Sequence, residues 1–157
     1  MKTGRAESKK VEKEILSSEP VYTIGIASKK LDISVHSLRQ YEREGLIIPF
    51  KTSTGRRIYS DLELEKIRCI KEMTQVEGLN FEGMRRMMAL IPCHKIRGCS
   101  IKVKNSCKAF IDKTLPCWVL RENCSCQLPS CRDCPVYQSF AHCDDIKPLI
   151  YEAEKER

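Results

Sequence analysis

The residues of this 157-residue chain with the most chemistry in them are its ten cysteines. Nine lie between positions 93 and 143. Five of these crowd LPCWVLRENCSCQLPSCRDCPVY, residues 115–137, together with the only tryptophan. Such a stretch can be a disulfide staple, a metal cage or a set of reactive thiols. Cys131-x-x-Cys134 makes a chelating corner and Cys124-x-Cys126 a tighter one. Four thiolates around a divalent cation leave about two negative charges, which neighbouring Lys and Arg can offset.

The pattern occurs twice. IPCHKIRGCSIKVKNSCKAF, residues 91–110, lines up with the later stretch, and each copy opens with an aliphatic residue, Pro and Cys. Cys93, Cys99 and Cys107 correspond to Cys117, Cys124 and Cys134, while Cys126 and Cys131 are additions of the second copy. This is the signature of an internal duplication. These eight cysteines are the candidate metal ligands, enough for two four-thiolate sites holding zinc or an iron–sulfur cluster. Three roles stay open: a structural zinc site, a metal or cluster that senses, and thiols that oxidise to disulfides. The spacing matches none of the standard zinc-finger or ferredoxin strings. His94, His142 and Cys143 are minor candidates. Cys69 reads as a small core residue on a helix at 61–77.

The choice among these chemistries turns on compartment. MKTGRAESKKVEKEILSSEP opens the chain without the apolar run of a signal peptide. No segment reaches the roughly 18 consecutive apolar residues of a membrane span. The expected location is the cytoplasm, where clustered cysteines more often bind metal than pair. Net charge is +7, with twelve bases and nine acids in 21–91 and eight bases and four acids in 92–144. That excess suits an anionic partner. No Ser/His/Asp set, Gly-rich phosphate loop or paired carboxylates occur, so an enzyme is not expected.

The elements that must position these residues read as mainly α. Residues 1–20 alternate charge and read as a flexible arm, and 145–157 as a charged tail. Between Val21 and Ile91 the spacing is helical. Thr23 caps a first helix with Ile24, Ala27 and Leu31 inward, and Ser34 caps a second that buries Val35, Leu38 and Tyr41 and stops at Gly45. Three residues between two helices make a helix-turn-helix. PFKTSTGRRIY, residues 49–59, reads as a β-hairpin wing. Ser60 and Glu63 form a capping box, Gly78 ends that helix, and Asn80 opens another with Phe81, Met84, Met88 and Ile91 inward. Residues 92–144 read as a small, loop-rich cysteine domain with one short basic helix from Ser100 to about Lys113.

The run TIGIASKKLDISVHSLRQYEREGLIIPFKTSTGRRIYSDLELEKIRCIKEM resembles the DNA-binding domain of the MerR family of bacterial transcription regulators. LRQYEREGL followed by GRRIYS is particularly similar to the heat-shock-repressor branch. The resemblance covers residues 22–91 and implies a winged helix-turn-helix. Side chains near the N-terminus of a recognition helix reach base edges in the major groove. Ser34, His36 and Arg39 occupy that end, and Arg39 has the fork for guanine or a bidentate phosphate. Its alternative is an ion pair with Glu42 or Glu44. Arg39 matches the arginine before the family's Tyr-Glu, and Gln40 stands where many relatives carry an aromatic. In the wing, Arg56 and Arg57 can reach phosphates and Tyr59 can donate its hydroxyl to one; Lys51 is a further candidate whose alternative is a merely solvated loop lysine, and Arg57 and Tyr59 match the family's Arg-x-Tyr.

The family's regulators bind promoter DNA as dimers and act with RNA polymerase, by deforming the promoter or by blocking it. A homodimer on double-stranded promoter DNA is the expectation, with no membrane partner. Pro92 falls where typical activators continue into a long dimerisation helix. The dimer contact therefore falls to the cysteine region or is weaker. The reading is a metal- or cluster-modulated transcription regulator. Its rival is a redox or electron-transfer protein that docks through the helix-turn-helix.

Overall fold

The computed structural model describes residues 16–123, 126 and 128–155. Local signals set most of the first half. Thr23 ends strand β1 (Tyr22–Thr23) and caps helix α1 (Ile24–Leu31) by accepting from the Ile26 amide. Asp32 terminates α1 in the left-handed conformation, and Ser34 caps α2 (Val35–Arg43) by accepting from the Ser37 amide at 3.0 Å. Ala27, Leu31, Leu38 and Tyr41 are buried between the two helices. Strands β2 (Phe50–Lys51) and β3 (Arg57–Tyr59) form the expected hairpin. β1 adds to it, giving an antiparallel sheet of order β1-β3-β2 with Tyr22 opposite Tyr59. The third strand is new, because a two-residue strand carries no readable period.

Both halves of the predicted capping box form at the start of α3 (Asp61–Gln75). Asn80 caps α4 (Phe81–Ala89), where Met84 and Met88 are buried and Phe81 meets Tyr41 edge-on at 5.7 Å between centroids. The methionine stripe is core.

Beyond Pro92 the elements are short: α5 (Cys93–Ile96), α6 (Ile101–Ser106), α7 (Lys108–Ile111) and α8 (Pro135–Gln138). Ser100 caps α6 as its sequence suggests, but the expected single helix to Lys113 breaks at Cys107, which is extended and buried. The Ser106 hydroxyl bonds back to the carbonyls of Lys102 and Val103, a local competitor of helical pairing. The expected charged tail forms α9 (Ile146–Lys155), which sinks Ile146 into the core. Of the expected arm, residues 1–15 lie outside the described residues. Ser17 accepts from the Leu62 amide and Ser18 from Arg132, so 16–20 lies against α3 and the cysteine half.

One apolar core runs through both halves. Trp118, Val136, Tyr137 and Phe140 pack into the same cluster as Leu38, Leu46, Tyr59, Ile67 and Met84. Polar anchors add to it. Trp118 Nε1 donates to the Gly45 carbonyl at 2.7 Å, and the Ile48 amide donates to the Tyr137 hydroxyl at 2.8 Å. Buried Lys66 donates to the Tyr137 carbonyl and lies over the Tyr137 and Phe140 rings. Arg132 pairs with buried Glu63: its Nε lies 3.0 Å from Oε1, off-axis for a hydrogen bond, and an Nη2 hydrogen bond at 3.3 Å holds Oε2.

Cys69, expected as an isolated core thiol, is instead in a disulfide with Cys143 across 74 positions. It ties α3 to the segment preceding α9. Among the described residues no helix is long and apolar enough to cross a membrane.

Candidate nucleic-acid interface and cysteine cavity

The recognition-helix candidate is α2. Its buried face, Leu38 and Tyr41, turns His36, Arg39 and Arg43 outward at helical spacing, and all three are exposed. Ser34 is exposed at the cap, and Gln40 is half-buried. Arg39, Arg56 and Arg57 line one cleft with Thr23 and Ile24, between the start of α1, α2 and the wing. Three guanidiniums on one concave surface suit an oxyanion.

The acids nearby are engaged elsewhere. Glu42 is bonded to Arg57 and lies 2.8 Å from Lys51 Nζ, while Glu44 pairs with Arg85 of α4. Burial pushes the Glu42 carboxyl up, but Arg57 and Lys51 outweigh it and hold it below its ordinary range. Neither possible acid partner of Arg39 has taken it, and among the described residues Arg39 forms no ion pair. Arg56 is exposed at the wing tip, Lys51 is exposed but paired, and Arg57 is half-buried. Arg57 and Lys51 are thus held in place by Glu42.

Two details revise the sequence reading. Tyr59, expected to donate to a phosphate, is fully buried in the core from the central strand β3, opposite Tyr22, with its hydroxyl unpartnered, and burial raises its pKa to about 12. Its position just before the Ser60 cap turns it into the core. Conversely, exposed Arg43 was not anticipated. It sits four residues after Arg39 and seven after His36, a spacing that would have marked it.

The cysteine half docks away from this face, on Gly45, Ile48 and α3. Gly45 takes φ +72°, and a Cβ there would lie 2.5 Å from Val119 Cγ2, so the close approach of the two halves requires glycine.

The eight candidate ligands divide by place. Cys117, Cys126, Cys131 and Cys134 line one cavity of about 20 Å³ beside Trp118, Arg121 and Tyr137. Cys93 and Cys99 border a separate open groove next to His94. Cys107 is buried, and it, half-buried Cys126 and Cys99 all add to the upward shift of the Cys93 thiol. Cys124 lies outside the described residues. The gathering stays within the second copy, where the two additions, Cys126 and Cys131, join Cys117 and Cys134. Among the described residues no three Cys, His, Asp or Glu side chains are placed so that they could hold a metal ion. Burial pushes the Cys93 thiol up to about 11 and raises Cys131, whose Arg121 neighbour opposes the shift. These are not activated nucleophiles, which have lowered pKa values.

Comparison with known proteins agrees with this geometry. Residues 22–91 match the model of the MerR HTH family regulatory protein. The putative heat shock protein HspR of Streptomyces coelicolor is 35% identical over 77 residues, covering 49% of this chain and 51% of that protein. The HTH-type transcriptional regulator GlnR of Bacillus anthracis is 31% identical over 78 residues, covering 50% and 60%. The uncharacterized HTH-type transcriptional regulator YyaN of Bacillus subtilis is 30% identical over 69 residues, covering 43% and 49%. The chain thus spans about half the length of the curated relatives it matches. With its capped helix pair, three-stranded sheet and outward arginines, the segment 22–91 is similar to the helix-turn-helix part of the MerR family regulators.

Proposed function

We propose that this chain is a DNA-binding transcription regulator, modulated by a metal held in its cysteine-rich half. The observation that carries the DNA-binding part is the charge arrangement around α2. His36, Arg39 and Arg43 project together, Arg56 extends the row onto the wing, and the adjacent acids are bound inward. A groove-reading helix needs this: donors outward, and no carboxylate facing the phosphates. The relatives named as transcriptional regulators support the same reading. Homodimerisation on promoter DNA and contact with RNA polymerase belong to this proposal through the family resemblance. The modulating metal is the zinc or iron–sulfur expectation carried forward, supported by four cysteines around one cavity.

The test is binding of the full chain to a promoter fragment carrying an inverted repeat, against salt. Each phosphate neutralised lowers the slope of log affinity on log salt by about 0.9. A slope of several units is expected, and a flat one would favour the docking module of a redox protein. Arg39→Ala should cost about 1–3 kcal/mol at the cognate site and less on random DNA. An equal loss on both would make Arg39 a phosphate contact only.

A further inference from the structure

A groove of about 590 Å³ opens between the end of α4, the short helices α5 to α7 and α9. Pockets that take small organic molecules run from about 300 to 1,000 Å³. Leu90 and Ile101 lie along it 55% and 77% exposed, and Phe110 and Ile150 line it half-buried. Large apolar side chains left in water beside a polar rim mark a binding surface. Neither the arginine cleft beside α2 nor the four-cysteine cavity shares a lining residue with this groove.

Its charge is one-sided. Lys95, Lys104 and Lys113 line it, and among the described residues none of the three forms an ion pair. Lys104 Nζ lies 4.8 Å from the centre of the Phe110 ring, which His94 meets edge-on at 4.9 Å. Burial lowers the His94 pKa, and Lys104 and Lys95 both lie near enough to add to it, so the two ammoniums share one corner. The acid on the groove, Asp112, is engaged locally. Its Oδ1 accepts from the Thr114 amide and hydroxyl, both at 2.7 Å, and from the Leu115 amide at 3.1 Å. Lys95 Nζ is buried with no hydrogen-bond partner. An unmet buried donor is costly, and an acceptor from outside the chain would satisfy it.

We propose that this groove binds a small amphiphilic carboxylate, its head between Lys95 and Lys104 and its chain along Leu90, Ile101, Phe110 and Ile150. Charge complementarity selects the head, because two ammoniums without a carboxylate partner attract an anion and repel a cation. The flexible four-carbon stem of Lys95 lets its Nζ turn to that head. The apolar wall selects the chain. A nucleic-acid phosphate would use the lysines and leave Leu90 and Ile101 in water. Binding is non-covalent and does not require DNA, so the site stands apart from the regulator reading.

The experiment is calorimetric titration of the full chain with decanoate, octanoate and decyltrimethylammonium. Decanoate should fill one saturable site. Octanoate should bind about tenfold more weakly, because it buries two fewer methylenes. Decyltrimethylammonium, with the same chain and the opposite charge, should bind at least about tenfold more weakly than decanoate. These three probes need no variant. Lys95→Gln with Lys104→Gln should weaken decanoate at least about tenfold. The same charge removed from α1, Lys29→Gln with Lys30→Gln, should leave it unchanged. Ile101→Asp should abolish decanoate binding, and because Ile101 is exposed its thermal melt should match that of the unmutated protein.

Absence of saturable decanoate binding overturns the site. Equal affinity for decyltrimethylammonium overturns the cationic corner, and an affinity indifferent to chain length overturns the apolar wall; either one sinks the proposal. Decanoate binding that survives Ile101→Asp unchanged puts the ligand elsewhere and overturns it too. Self-association that Ile101→Asp abolishes and decanoate does not reverse gives the groove to a second copy of this chain, and likewise overturns it. A flat salt dependence on promoter DNA would end the regulator reading and leave every one of these outcomes as it was.

Discussion

The helix-turn-helix half and the cysteine half are built by different means. In residues 22–91 each helix starts at a side-chain cap, Thr23, Ser34, Ser60 or Asn80, and buries a stripe at helical spacing. Among the described residues between Cys93 and Gln138 no helix exceeds six residues, and of the four α-helices there only α6 has a side-chain cap. Short helices are marginal on their own, so long-range contacts must hold this half together. Its aromatic residues Trp118, Tyr137 and Phe140 do that by packing into the other half's core. The first half is specified locally, and the second takes its shape from the surface it docks on.

That contrast can be broken most sharply at Trp118. Trp118→Ala removes a buried ring and its bond to Gly45, and should destabilise the protein by about 3–5 kcal/mol. Chemical denaturation should still show one transition, lowered for probes in both halves, because the core is shared. Two separated transitions, with the first half unmoved, would show that the halves fold independently.

Next in size is the covalent tie. Replacing Cys143 by Ser opens a 74-residue link between α3 and the segment before α9. Loop-closure entropy sets an upper value of about 4.4 kcal/mol for a loop of this length, and the loss should be about 2–4 kcal/mol, the usual range for a disulfide. Cys69→Ala should match it, and the double variant should equal either single one. A reductant should destabilise the unmutated protein alone. Additive losses would mean that each cysteine acts through packing and not through the bond.

The same contrast governs what the sequence could disclose. The caps, the hairpin and the methionine stripe are local signals, and the structure has each where its residues suggest. Strand β1 was illegible because it exists only through pairing with β3. Tyr59 was misplaced because the Arg-x-Tyr spacing does not say which side chain of β3 turns into the core. The Cys69–Cys143 pair has no local pattern, and the expectation of reduced thiols argued against it. In the cysteine half the Cys131-x-x-Cys134 corner was legible. Gathering it with Cys117 and Cys126 required knowing how the chain folds back. The anchors at Gly45 and Ile48 span 73 and 89 positions and leave no trace in local spacing.

The finest test of the shared interface is electrostatic. Lys66 is buried where the halves meet, with Glu63 on its own helix and Arg132 from the cysteine half facing it. Burial lowers its pKa to about 7; Glu63 opposes the shift and Arg132 adds to it. Its unfolded value is near 10.4. Between these values the unfolded chain holds a proton that the folded chain has released, so stability rises with pH, by up to about 1.4 kcal/mol per unit. Below about 7 both states are protonated and this contribution is flat. Cys93, raised to about 11, acts oppositely above its ordinary thiol range near pH 9, and Tyr59 does so above 10. His94, lowered by burial and by Lys104, adds its own rise only up to its ordinary range near 6.5, so measurements from pH 7 to 8.5 isolate the lysine. In Lys66→Met the rise between pH 7 and 8.5 should disappear, whatever the constant offset from the hydrogen bond lost at the Tyr137 carbonyl. A slope that persists in the variant would mean that Lys66 stays charged in the folded protein. The interface would then hold a buried ammonium bonded to the Tyr137 carbonyl, where this reading has a neutral amine packed between two rings.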